Sequence, residues 1–132
     1  MHFSTPIISA ILALSTQATA LGINCRGSSN CISTQLGKVS LQEIINTANQ
    51  VGDHHIFQNG EHVACVQGRG LAGGSLCAFP QGTNGGIEGW KAKQLLGFLK
   101  DHNCGNCGSV PVNFPNDNNV GSAGQLTVNW VR

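Results

Sequence analysis

Apolar residues recur most regularly after Ser40. Leu41, Ile44, Ile45 and Ala48 fall on one face of a 3.6-residue repeat, and Ser40 with Glu43 three positions on makes a capping box. The pattern predicts an amphipathic helix over 41–50, ended by Gly52. A second stripe of Ala92, Leu95, Leu96 and Leu99 predicts a helix over 87–102, with Lys100 at its negative end and Gly105 just beyond it. Between them, short β-capable runs at 55–58 and 61–66 flank Asn59-Gly60, the signature of a type I′ hairpin. A third run at 75–79 extends this to a three-stranded antiparallel patch, with Cys65 and Cys77 on its second and third strands. Residues 110–119, with Pro111, Pro115 and several Asn, read as an irregular connection. The last run alternates: Leu126, Val128 and Trp130 face one way, Thr127, Asn129 and Val131 the other. The predicted fold is α+β, a two-layer sandwich in which two antiparallel helices cover one face of an antiparallel sheet.

The ends change the picture of where the chain works. Met1 to Thr5 is short and polar, Pro6 to Leu14 is apolar, and Ala18-Thr19-Ala20 is a small-x-small cleavage site. The apolar run is too short to span a bilayer. Cleavage before Leu21 is expected, leaving 112 of the 132 residues as one secreted, extracellular domain. The net charge of +1 argues against binding nucleic acid by phosphate neutralisation. Six cysteines, an even number in an exported chain, read as a disulfide framework. No Asn-x-Ser/Thr sequon occurs, and no linker or second domain is visible.

Two stretches carry a resemblance. Leu21-Gly22-Ile23-Asn24-Cys25-Arg26-Gly27-Ser28-Ser29 and Gly124-Gln125-Leu126-Thr127-Val128-Asn129-Trp130-Val131 resemble the two ends of a family of secreted fungal killer toxins. That family is typified by a virally encoded smut toxin, killer protein 4. The spacing of Cys25 and Cys31, of Cys104 and Cys107, and the order of elements between are similar too, so the resemblance spans the chain from Leu21 onward. It implies an α/β sandwich, secretion, and growth inhibition of competing or host cells by blocking calcium channels. By motif position it implies bridges Cys25–Cys104, Cys31–Cys107 and Cys65–Cys77. The chain departs from the founding toxin in ending Trp130-Val131-Arg132 without a terminal cysteine, and in having Glu61-His62-Val63-Ala64 where that toxin has a basic run.

The same residues invite other chemistries. Cys104-Gly105-Asn106-Cys107 has the spacing of a thiol oxidoreductase, but those enzymes place the first cysteine at a helix N-terminus, and here the motif follows a helix. With Cys25 and Cys31 available as partners, structural bridges are preferred; a loop as long as Cys25–Cys104 contributes about 4.5 kcal/mol in the chain-entropy model. A zinc site from Cys104, Cys107, His102 and one of His54, His55 or His62 is disfavoured by oxidised cysteines. A ribonuclease-like site from His62 or His55 with Glu61, Glu43 and Arg69 meets the difficulty that neighbours in a strand, Glu61 and His62, point to opposite faces. No nucleophile elbow, P-loop or metal motif is present, so no cofactor and no catalytic residue is assigned.

Trp130 is expected in the core. Trp90 projects away from the helical stripe, near Lys93 and Gln94. The ordinary reading is that loop residues cover it at the helix's first turn, and the alternative is an exposed aromatic beside a cation, as a binding surface needs. The cations Lys38, Arg69, Lys91, Lys93 and Lys100 are the candidates for contact with a channel. Trp90, Lys93 and Lys100 are the expected binding residues of a monomeric toxin that engages a membrane channel protein without inserting into the membrane. The alternatives are a secreted ribonuclease-like hydrolase and a non-toxic secreted binding module for host or cell-wall components.

Overall fold

The computed structural model describes residues 22–31, 39–69 and 73–132. The predicted leader and Lys38 lie outside the described residues. The strands are β1 (Ile56–Phe57), β2 (Ala64–Gln67), β3 (Ser75–Gln81), β4 (Ile87–Glu88), β5 (Gly108–Pro111) and β6 (Gln125–Val131). The helices are α1 (Leu41–Ala48), α2 (Gly89–Asp101) and the single turn α3 (Val120–Ala123), with a 3-10 turn at Ser29–Cys31.

Helix α1 starts where its cap predicts. The Ser40 side chain accepts from the Glu43 N–H, and the Glu43 carboxylate accepts from the Ser40 N–H at 2.9 Å. Leu41, Ile44 and Ala48 are buried, as are Ala92, Leu95, Leu96 and Leu99 of α2. Helix α2 begins two residues later than its pattern predicts, because Ile87 and Glu88 are taken by β4. It ends at Asp101, and the left-handed residue beyond the cap is Asn103 (φ 66°) rather than Gly105.

The sheet differs from the predicted patch. Strands β2-β3-β6-β5 form one antiparallel sheet, while β1 pairs with β4 in a separate two-stranded ribbon. Asn59-Gly60 is therefore a turn between sheets, not a hairpin. Gly60 takes a positive φ of 82° and Asn59 does not, and the Glu61 N–H closes the turn on the Gln58 carbonyl at 2.9 Å. That is a type II pattern, which does not carry the twist of a tight hairpin. The Asn59 side chain is bound elsewhere: its amide N–H donates to the Thr83 carbonyl and its oxygen accepts from the Thr83 N–H, both at 3.0 Å. Strand β5 was hidden by Pro111. At the end of an edge strand, proline needs no ladder N–H.

Register fixes the faces. Ala64 opposes Ala78, Ala78 opposes Val128, and Val110 opposes Leu126, so these residues share the face that meets the helices in one core. Helix α1 lies against β2 and β3, and α2 against β5 and β6. The Leu41 N–H, at the start of α1, donates to the carbonyl of Gly105, just beyond α2. Lys93, near the start of α2, bonds the Val51 carbonyl just beyond α1. The helices are thus antiparallel. Trp130 opposes Leu76 at the end of this face and is only partly buried.

The segment from Asn24 to Cys31 starts at the β5 edge of the sheet and passes to the Asn129 side chain of β6, on the face away from the helices. Asn24 exchanges backbone hydrogen bonds with Ser109 at 3.0 and 2.9 Å, and the Ser28 N–H donates to the Asn129 side chain at 2.9 Å. Three bridges join Cys25 to Cys104, Cys31 to Cys107 and Cys65 to Cys77, the pairs that the resemblance implies. The first two tie the arm to the turn after α2. Gly27 sits where they converge: a Cβ there would fall 2.6 Å from Cβ of Cys107 and 2.9 Å from Oδ1 of Asn129.

Candidate functional site

The start of α2 is built without a capping side chain. Its N-cap residue Glu88 makes no side-chain cap bond; instead the Gly89 N–H donates to the His55 carbonyl at 2.8 Å and the Trp90 N–H to the Asp53 carbonyl at 2.9 Å. Two helix-terminal donors are thereby satisfied by the preceding turn. This close docking needs a glycine at 89, where a Cβ would collide with the Gly52 carbonyl. Lys93 locks the same joint. Its ammonium donates to the Val51 carbonyl and to Asp53, each at 2.7 Å, and this pairing holds the Asp53 carboxyl below its ordinary pKa.

That frame presents Trp90 to solvent. Its side chain is 45% exposed and Ile56 is 48% exposed, and these are the exposed large hydrophobic residues among the described ones. They converge on one open cleft of about 270 Å³, with Gly85 and Gly86, Ile87, Glu88, Lys91 and Val112 completing its lining. Strand alternation explains Ile56: Phe57 points into the core, so its neighbour points out. The Lys91 ammonium stands 5.7 Å from the centre of a Trp90 ring, within cation–π range. Glu88 supplies the opposite charge at the rim, with His54 4.0 Å from it.

The expected binding residues are placed differently from one another. Trp90 is at the cleft. Lys93, only 23% exposed, is committed to the joint beneath it. Lys100 is exposed ten residues further along α2, about 15 Å up the helix axis. Arg69, just beyond β2, pairs with Glu43 of α1. The sequence reading missed Ile56, although the alternation of Ile56 and Phe57 carried the signal.

The ribonuclease-like candidates are dispersed. Nε2 of His55 is 2.8 Å from Glu61, whose carboxylate also accepts from the Gln58 N–H at 2.9 Å. Those two bonds, the backbone one foremost, hold the Glu61 carboxyl below its ordinary pKa. His62 turns elsewhere, with Nδ1 3.2 Å from Sγ of Cys65. Glu61 and His62 do diverge, but because they lie in the turn before β2, not because a strand alternates them. Glu43 is held by Arg69 and the Ser40 cap. Cys104 and Cys107 bond to separate partners rather than to each other, so their sulfurs form neither a redox dithiol nor a zinc site with His102.

The chain also matches known proteins in sequence. The family described as Kp4 matches residues 8–132. The chain is 40% identical over 112 residues to the KP4 killer toxin of Ustilago maydis P4 virus, an overlap covering 85% of this chain and 81% of that protein. With a match over nearly its whole length, the chain belongs to the Kp4 killer-toxin family.

Proposed function

We propose that this chain is a secreted toxin that inhibits the growth of competing or host cells by binding a membrane calcium channel and blocking it, without catalysing a reaction. The observation that carries the binding reading is the convergence of Ile56 and Trp90 in one cleft, with a cation over the indole. Exposed aromatics with a polar rim, which a partner can cover on binding, anchor protein interfaces. In this reading Trp90 is the anchor, Lys91 and Lys100 supply charge toward an acidic channel mouth, and Lys93 fixes the helix that presents them. Among the described residues no helix is long and apolar enough to cross a membrane, which fits a toxin that acts from outside. The dispersal of the His, Glu and Arg candidates favours this reading over a hydrolase.

The test is growth inhibition of susceptible fungal cells by the purified chain, with and without added calcium. The expected result is inhibition that calcium relieves. Inhibition indifferent to calcium would remove the channel from the account, and RNA degradation lost in His62→Ala would replace it with the hydrolase.

A further inference from the structure

We propose that Cys65–Cys77 is a reducible bridge which, once opened, forms with His62 a three-donor site for a zinc ion. Nδ1 of His62 and the two sulfurs all lie within 4.8 Å of one another, with Nδ1 only 3.2 Å from Sγ of Cys65. Two thiolates and an imidazole are the ligand set that zinc prefers. In the oxidised protein the sulfurs bond each other and the site is closed.

Two features set this bridge apart, beside an exposure that it shares with Cys25–Cys104. Like Cys25, Cys65 is exposed, here on the edge strand β2, so an external thiol reaches its sulfur. The bridge spans 12 residues, against 79 and 76 for the other two, so it constrains the chain least. The ladder holds its ends without it: Ala64 opposes Ala78 and Val66 opposes Leu76 on either side, keeping the cysteine Cα atoms 4.1 Å apart. Cys25–Cys104 and Cys31–Cys107 instead hold an arm that no ladder fixes. Its backbone pairs with the sheet at one isolated bridge, Asn24 to Ser109, and its other bonds to the strands run through side chains, such as Ser28 to Asn129. Opening Cys65–Cys77 therefore leaves two thiols facing each other beside an imidazole. Tetrahedral zinc with Zn–S near 2.3 Å needs its sulfurs about 3.8 Å apart, a separation that side-chain rotation supplies.

The reductant is a low-molecular-weight thiol such as glutathione. Its thiolate attacks Sγ of Cys65, the S–S bond breaks, and Sγ of Cys77 leaves with the electron pair. A second thiol attacks the external sulfur of the mixed disulfide and releases Cys65 as thiolate. Two thiols become one disulfide, and the protein gains two electrons and two protons. Zinc then displaces the two protons from the cysteines, while the imidazole coordinates through its free lone pair. Water takes the fourth position.

The purified chain with its bridges formed is incubated with graded glutathione, alkylated, and mapped by mass spectrometry. The partly reduced protein is then titrated with Co²⁺, a coloured stand-in for zinc, followed by Zn²⁺. Cys65 and Cys77 should be alkylated at glutathione levels that leave the other four cysteines protected. One Co²⁺ should then bind, with thiolate-to-metal absorption that Zn²⁺ abolishes. His62→Ala, at an exposed position, should weaken cobalt binding at least tenfold, since even outer-shell partners of a metal contribute that much. The proposal is overturned if the three bridges open together, if the partly reduced chain takes up no cobalt, or if His62→Ala binds it equally well.

Discussion

Glu43 does two things with one carboxylate. It closes the capping box of α1 and it pairs with Arg69. The hydrogen bond from Arg69, then that from the Ser40 backbone, lower its pKa from 4.5 to about 2. A carboxyl with a depressed folded-state pKa favours the native state when ionised. Its contribution is fully present above 4.5 and is lost as the pH falls toward 2. Asp53, held by Lys93, and Glu61, held by Gln58 and His55, act in the same direction. Thermal denaturation should therefore show a melting temperature that is level above pH 4.5 and declines on acidification toward pH 2. Glu43→Gln should melt lower than the wild type at neutral pH and lose part of that acid slope. An unchanged slope would mean that the Arg69 pair contributes nothing to folding. The capping half of this arrangement was legible, because Ser40 and Glu43 are three residues apart. The Arg69 half was not, since 26 residues separate the pair and only the folded sheet brings them together.

Local periodicity served helices better than strands. The buried stripes of α1 and α2 follow directly from the spacing of their apolar residues. The start of α2 does not, because β4 is defined by pairing with β1, about thirty residues earlier, and no local pattern in a two-residue strand records that. The same pairing turned the Asn59-Gly60 hairpin into a connection between sheets. Gly89 is where this ribbon, the 52–55 turn and α2 meet. Gly89→Ala should force the helix off the Gly52 carbonyl and destabilise the protein by roughly 1–3 kcal/mol, the usual cost of overpacking. Trp90 fluorescence should change with it, as the adjacent indole is reoriented. Denaturant unfolding matching the wild type would show that the joint yields easily and does not fix Trp90.

Over the whole molecule, two long-range bridges close the arm around Cys25 and Cys31 onto the turn after α2. The paired spacing of these cysteines and the matching ends of the chain made that clamp legible from the sequence. The candidate cleft was only half legible: Trp90 stood out from its helix, whereas Ile56 and Val112 reach it from β1 and from the residue after β5. The fold thus holds a small apolar cleft with charged edges on a cross-linked frame, and the proposed function rests on that cleft engaging a calcium channel. Calcium influx into susceptible cells, recorded with the purified chain and with Trp90→Ala, tests this most directly. The wild type should suppress influx, and Trp90→Ala, folded with the same melting temperature, should need about tenfold more protein or greater for the same effect. Influx unchanged by the wild-type chain, or equal suppression by both proteins, would contradict the account.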